Sequence, residues 1–275
     1  MSRTAIVTGA NQGLGLALVA GLARALGPGA NVYLTGRDAA RVEAARDGLA
    51  DAGLRVLAER VDVRSDEDVE AFAALVRERH GAADIVISNA AARRTPERTD
   101  AEQVRQFVDT NNLGATRMIR AFAPLVAADG CLLVVASAFG SLRNLPAHLH
   151  DRFDTDVATL GELDATMLRY ADAVASGEAE AEGWPASINI PSKIGQVAAA
   201  RVFARDEMAR GTGRFVAAVC PGLIDTAASR PWFADMSSAQ SPDEAAVDVV
   251  ELALSEARDR FYGELFQHQR VLAWR

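Results

Sequence analysis

The stretch Thr4-Ala5-Ile6-Val7-Thr8-Gly9-Ala10-Asn11-Gln12-Gly13-Leu14-Gly15 decides the fold. Five residues suited to a buried strand run straight into a glycine turn. The turn runs into a segment whose Leu14, Leu18, Leu22 and Leu26 recur at helical spacing. Glycines let the backbone turn tightly and let a pyrophosphate approach it. The helix that follows offers unpaired N–H groups and a partial positive charge to an anion. A Gly-x-x-x-Gly-x-Gly spacing means little alone, but strand–turn–helix is the context that gives it weight. A dinucleotide is therefore expected against Gly9, Asn11, Gln12, Gly13, Leu14 and Gly15.

Outward from this turn the same rhythm repeats. Apolar runs at Asn31–Thr35, Leu54–Glu59, Asp84–Ser88, Cys131–Ala136 and Phe215–Cys220 read as strands covered on both faces. Between them lie helical patterns such as Val69, Phe72, Leu75 and Val76. Ser65 before Asp66-Glu67-Asp68 reads as an N-cap with an acidic first turn. Ser241-Pro242-Asp243-Glu244 reads as a capping box with proline at the first helical position. The alternation predicts an α/β fold, a doubly wound parallel sheet (Rossmann fold) with helices on both faces, and one domain over residues 1–275. A long connection over about 142–183 breaks the rhythm after the fifth strand. It carries its own helical pattern (Leu160, Leu163, Met167, Leu168, Tyr170, Ala171, Val174) and reads as a helical insertion.

Bulk properties narrow the function. A net charge of -8 argues against a nucleic-acid partner. No apolar run is long enough to span a bilayer, and the chain enters a strand pattern at once, so no membrane partner and a cytoplasmic location are expected. Cys131 and Cys220 sit in apolar runs and read as reduced core thiols, with no disulfide or metal site. Of the 29 basic residues only one, Lys193, is lysine. In a chain so biased to arginine, that lysine calls for a reason.

The second strand ends Leu34-Thr35-Gly36-Arg37-Asp38. An acidic residue at the tip would favour NAD through the ribose 2′-hydroxyl. Arg37 suits the 2′-phosphate of NADP, because a planar donor fork faces an anion. A solvated loop arginine is the bland alternative.

Further motifs follow in order. Asp62-Val63 stands after the third strand, and Asn89-Ala90-Ala91 after the fourth. Asn111-Asn112-Leu113-Gly114 comes next, then Pro221-Gly222 with Ile224 and Thr226 after the sixth strand. With the glycine turn, this series resembles the short-chain dehydrogenase/reductase family. Glu182-Gly183-Trp184-Pro185 and the long insertion look like its monomeric carbonyl-reductase branch. The resemblance implies that NADP(H), with NAD less favoured, is held by those residues, by Arg37, Asn111 and Lys193. It also implies a monomer with a walled pocket for a small-molecule substrate. NADP-preferring relatives often carry a second cation where this chain has Gln12.

The family's chemistry uses a serine, a tyrosine, a lysine and an asparagine. Lys193 matches the lysine, and Asn111 the asparagine that positions a water behind it. The tyrosine position, four residues before Lys193, is Asn189; the serine position falls on Ala138, after Ser137. An alignment one place off would let Ser137 or Ser141 serve instead. Asparagine donates hydrogen bonds but has no proton to transfer near neutral pH. Pro191 is comfortable only in a first turn, so a helix is expected to start near Asn189, which then reads equally as an N-cap. Replacement acids would come from the insertion: His148, His150, Asp151, Asp154 or Tyr170. Trp232 and Phe233 read either as pocket wall or as packing. Three functions follow: a reductase of an activated C=O, C=N or C=C substrate; a non-redox enzyme for cyclisation, elimination or isomerisation; or a non-catalytic NADP-binding protein.

Overall fold

A computed structural model describes residues 2–275. The chain runs β1 (Thr4–Val7), α1 (Gly13–Leu26), β2 (Asn31–Gly36), α2 (Ala39–Asp51), β3 (Leu57–Arg60), α3 (Asp66–His80) and β4 (Ala83–Ser88). It continues through α4 (Asp100–Val108), α5 (Gly114–Phe122), β5 (Val126–Val135), α6 (Leu160–Ser176), α7 (Asn189–Arg210) and β6 (Phe215–Val219). It closes with α8 (Pro242–Leu254), β7 (Leu265–Gln267) and β8 (Arg270–Leu272). The strands form one sheet in the order β3-β2-β1-β4-β5-β6-β7-β8. All neighbours are parallel except the last pair. The doubly wound Rossmann fold expected from the rhythm is the fold observed.

The sheet separates two apolar layers. Leu14, Leu18 and Leu22 of α1, Val42 of α2 and Val249 of α8 pack on one face. Phe72 of α3, Phe122 of α5 and Val197 and Val202 of α7 pack on the other. The strands run parallel, but the order in which they are added to the sheet reverses between β1 and β4, which opens a crevice at their carboxyl ends. The glycine turn after β1 and the Asn89 segment after β4 both reach that crevice.

Ser65 accepts from the Asp68 N–H, and Ser241 and Glu244 close a full capping box, as expected. Thr99–Glu102 and Thr159–Glu162 are two more such boxes. The third strand begins at Leu57 instead of Leu54, because the Gly53 and Leu54 N–H groups still bond back to Ala50 and Leu49. The fifth strand begins earlier, at Val126. Strands β7 and β8 escape the apolar-run reading because each has only three residues.

The insertion folds as short 3-10 turns followed by α6. Leu163, Met167, Tyr170 and Ala171 face inward, whereas Leu168 lies on the exposed face. Helix α7 does start at Asn189, but the residue before it, Ile188, is the cap and makes no side-chain capping bond. Asn189 is thus a first-turn residue and not an N-cap. Among the described residues, no helix is long and apolar enough to cross a membrane.

Candidate functional site

The turn after β1 is built around backbone that tolerates no side chain. Gly9 has φ +62°, and a Cβ there would lie 2.6 Å from the Ala90 Cα. A Cβ on Gly15 would lie 2.5 Å from the Gly9 carbonyl oxygen and 2.6 Å from Asn89 Nδ2. Asn89 holds this packing: its Nδ2 donates to the carbonyls of Thr8 (2.9 Å) and Gly9 (3.2 Å). The Thr8 hydroxyl accepts from the Asn89 and Ala90 N–H groups, both at 3.0 Å. No side chain caps the N-terminus of α1, and no acidic residue stands in its first turn. The positive end of the helix is left for an anion.

Two cavities meet at this turn. One, of about 400 Å³, is bordered by Gly9, Asn11, Gln12, Arg37, Asp62, Val63, Ala90 and Ala91. Its Arg37 is exposed and makes no hydrogen bond or ion pair with the described residues. Asp62 is clamped by Arg64, whose Nε and Nη2 donate at 2.9 and 2.5 Å. That guanidinium holds the Asp62 carboxyl below its ordinary range.

The second cavity, about 920 Å³, collects most of the remaining candidates. Gly13, Leu14, Gly15, Asn89, Asn111, Ser137, Ala138, Asn189, Lys193, Gly222, Ile224 and Thr226 all border it. Both volumes suit a sizeable ligand. Of the segment after β6, Pro221 stays outside this lining; its carbonyl accepts from Gln240 Nε2 at 3.4 Å.

Lys193 is partly buried one turn beyond Asn189 on α7, and its Nζ donates to Gln196 Oε1 at 2.8 Å. Burial lowers its pKa to about 8, opposed by the nearby Cys220. An ammonium carries three donors, so two remain for a ligand. Asn189 makes no side-chain hydrogen bond among the described residues, which leaves its amide free. Ala138 presents only a methyl group. Ser137 Oγ accepts from the Phe139 N–H at 3.3 Å, which does not occupy its proton.

Asn111 sits in a π-helical turn, Asp109–Leu113, between α4 and α5. Such bulges re-aim side chains at functional sites. Its Oδ1 accepts from the Ala92 N–H at 2.7 Å and its Nδ2 donates to Ser192 Oγ at 3.4 Å. Those bonds tie the loop after β4 to α7.

The reserve candidates for an acid fall away. The carbonyl oxygens of Glu182 and Leu145 are the partners of His148 and His150, and neither imidazole borders the cavity. Asp151 and Asp154 lie outside it as well. Tyr170 is buried against Trp184, ring centroids 4.6 Å apart, and burial raises its hydroxyl pKa. The Ser141 hydroxyl is spent on the carbonyls of Ala273 and Trp274, at 2.7 and 3.2 Å. The two imidazoles and the Ser141 hydroxyl are thus bonded within the fold, while the buried Tyr170 hydroxyl has no hydrogen-bond partner among the described residues.

Trp232 and Phe233, by contrast, do border the cavity, together with Phe139. The Arg94 guanidinium lies 4.4 Å from the Trp232 ring centroid while paired with Asp100. Cys220 is buried as expected but also borders the cavity. Gln196, Phe139, Arg93 and Arg94 had not been singled out from sequence. Gln196 was legible as the residue three beyond Lys193 on one helical face.

A parallel sheet wound on both sides, with a glycine turn at its crevice, is the class of fold observed. The short chain dehydrogenase family model matches residues 3–147, and the chain belongs to that family. It is 31% identical over 278 residues to "Carbonyl reductase [NADPH] 1" of Bos taurus, covering 98% of each chain. It is 29% identical to "Carbonyl reductase [NADPH] 3" of Rattus norvegicus, covering 99% of each. Salutaridine reductase from Papaver somniferum superposes with a TM-score of 0.83 at 22% identity, over 96% of this chain and 99% of that one. Menthone neomenthol reductase from Mentha piperita gives 0.77 at 22% identity, over 97% and 98%. Those two likenesses speak for the fold alone.

Proposed function

We propose that this chain is an NADP(H)-dependent reductase of an already activated C=O, C=N or C=C bond, working without the tyrosine acid of its family. The observation that carries the reading is the wall of the larger cavity. Lys193 faces it with donors to spare, while the two flanking family positions hold an amide, Asn189, and a methyl, Ala138.

The glycine turn fits a dinucleotide: its pyrophosphate would lie against the bare backbone of Gly9 to Gly15 and the uncapped end of α1. Arg37 is the donor fork for a 2′-phosphate. Asp62, Val63, Ala90 and Ala91 border the adenosine-side cavity; Asn89, Gly222, Ile224 and Thr226 border the larger, nicotinamide-side one, with Pro221 just outside its lining. The names of the ~30% identical carbonyl reductases support NADPH as the cofactor. When bound, the reduced nicotinamide supplies a hydride.

The residues of this chain then position and polarise. Lys193 donates to the nicotinamide ribose. Asn189 Nδ2 and the Ser137 hydroxyl donate hydrogen bonds to the heteroatom of the substrate. Phe139, Trp232 and Phe233, each still exposed, give the cavity an apolar border for the substrate. None of the neutral donors gives up a proton near pH 7. An iminium ion needs only the hydride, whereas an enone or an activated C=O also takes one proton, which comes from solvent; such substrates are favoured over plain ketones.

The test is a panel of ketones, imines and enones with NADPH, followed at the reduced-nicotinamide absorbance band. Turnover of imines or enones, and slow or no turnover of plain ketones, is expected. NADPH binding with no oxidation on any substrate would favour a non-redox or non-catalytic role on the same fold.

A further inference from the structure

The family resemblance leaves one gap in an NADP reading: the position where it implies a second cation is Gln12. The structure brings a different cation to that place. Arg93, on the loop between β4 and α4, borders both cavities of the crevice and also a shallow groove between α1 and α2. Gln12 borders the same three. The arginine and the residue that lacks the charge therefore border the same space around the glycine turn.

Four other arginines border the adenosine-side cavity; Arg64 is paired with Asp62 and Arg98 donates to the Glu102 carbonyl, which leaves Arg37 and Arg41. Arg37 stands at the tip of β2, and Arg41 one turn further on borders both the adenosine-side cavity and the groove. Arg41 has Asp38 3.6 Å away, with most of its side chain in solvent. Arg93 is exposed and makes no hydrogen bond or ion pair with the described residues. The carboxylate that could neutralise this region from the β3 side, Asp62, is already held by Arg64. The guanidinium groups of Arg37, Arg41 and Arg93 thus border one cavity whose carboxylates are Asp38, beside Arg41, and Asp62, held by Arg64. Such forks recognise phosphate oxygens in two-point fashion.

We infer that Arg93 is a specificity-determining residue for the cofactor: it closes, with Arg37 and Arg41, a three-arginine site for the ribose 2′-phosphate. This rests on the NADP(H) reading above. The uncommitted charge of Arg93 is that site's second cation, supplied by the β4–α4 loop in place of residue 12. Because the groups are solvent-exposed, the preference weakens as salt rises.

The experiment compares calorimetric titrations of 2′,5′-ADP and 5′-AMP, and of NADPH and NADH, into wild type, Arg93→Ala and Arg93→Lys. Arg93→Ala is expected to weaken 2′,5′-ADP and NADPH about tenfold, the scale of one charge-assisted contact. It should leave 5′-AMP and NADH unchanged, and Arg93→Lys should recover part of the loss. Unchanged 2′,5′-ADP affinity in Arg93→Ala, with wild type still preferring it to 5′-AMP, overturns the Arg93 assignment alone. Equal weakening of NADPH and NADH overturns it too, since the guanidinium would then serve the pyrophosphate. A wild type that binds 2′,5′-ADP no better than 5′-AMP overturns the NADP reading itself.

Discussion

Asn189→Tyr combined with Ala138→Ser is expected to raise kcat/KM for plain ketones by about 10²–10⁴-fold, the usual contribution of a positioned general acid. Residue 189 is already in the first turn of α7, one turn before Lys193, and its side chain borders the cavity. A phenol there would share the cavity with an ammonium whose present hydrogen bond is to Gln196. That charge favours the phenolate and brings the phenol pKa toward the working pH. The serine at 138 adds a polarising hydroxyl where a methyl now stands, worth about 10²–10³ when an oxyanion donor is removed from other enzymes. The gains will not add independently, since the two groups bind one oxygen atom. Asn189→Tyr alone should give most of the rise. Steady-state kinetics on a ketone series decide the matter. No gain in a folded double variant would mean that the pocket has been remodelled beyond these two positions.

Lys193→Met should weaken NADPH by about one to two orders of magnitude, the range of hydrogen bonds to a charged group (about 1.5–3 kcal/mol). The sign of its pH dependence follows from burial. The ammonium form carries the donors, and its pKa is lowered to about 8. NADPH affinity in wild type should therefore be flat below that pH and fall as pH rises through it. In Lys193→Met that step should vanish. Lys193→Arg should not restore affinity, because a planar guanidinium cannot occupy the place of a compact ammonium beside Gln196. Fluorescence titration with NADPH from pH 6 to pH 10 reads this directly. A wild-type affinity unchanged through pH 8 would remove Lys193 from the ribose.

The fold was legible because its signals are local. Five-residue apolar runs, the glycine turn and the Ser65 and Ser241 caps each act through neighbours in sequence. The turn at Gly53–Leu54 was not legible, since apolar character continued past the end of α2 while the hydrogen bonds did not. Nor were β7 and β8, three residues each and stabilised by pairing with distant chain.

The site divides the same way. Lys193 stood out as the one lysine of the chain, while Asn189 and Ala138 were singled out only through the family resemblance. The expectation that the insertion supplies an acid failed for a physical reason. A histidine or tyrosine in a helical elaboration must satisfy its polar atoms or bury its ring. His148 and His150 do so on backbone carbonyls, and Tyr170 lies against Trp184. Arg93 was invisible for the opposite reason. Its meaning comes from where the loop after β4 crosses the turn after β1, some eighty residues apart in sequence.

Isothermal titration of the purified chain with NADPH, and separately with NADH, bears most directly on the whole account. It predicts one site per chain that takes NADPH more tightly than NADH, with both weakened when Gly15 is replaced by valine. Heat of binding from neither nucleotide would contradict it, since every role assigned above depends on a phosphate seated against the backbone of that first turn.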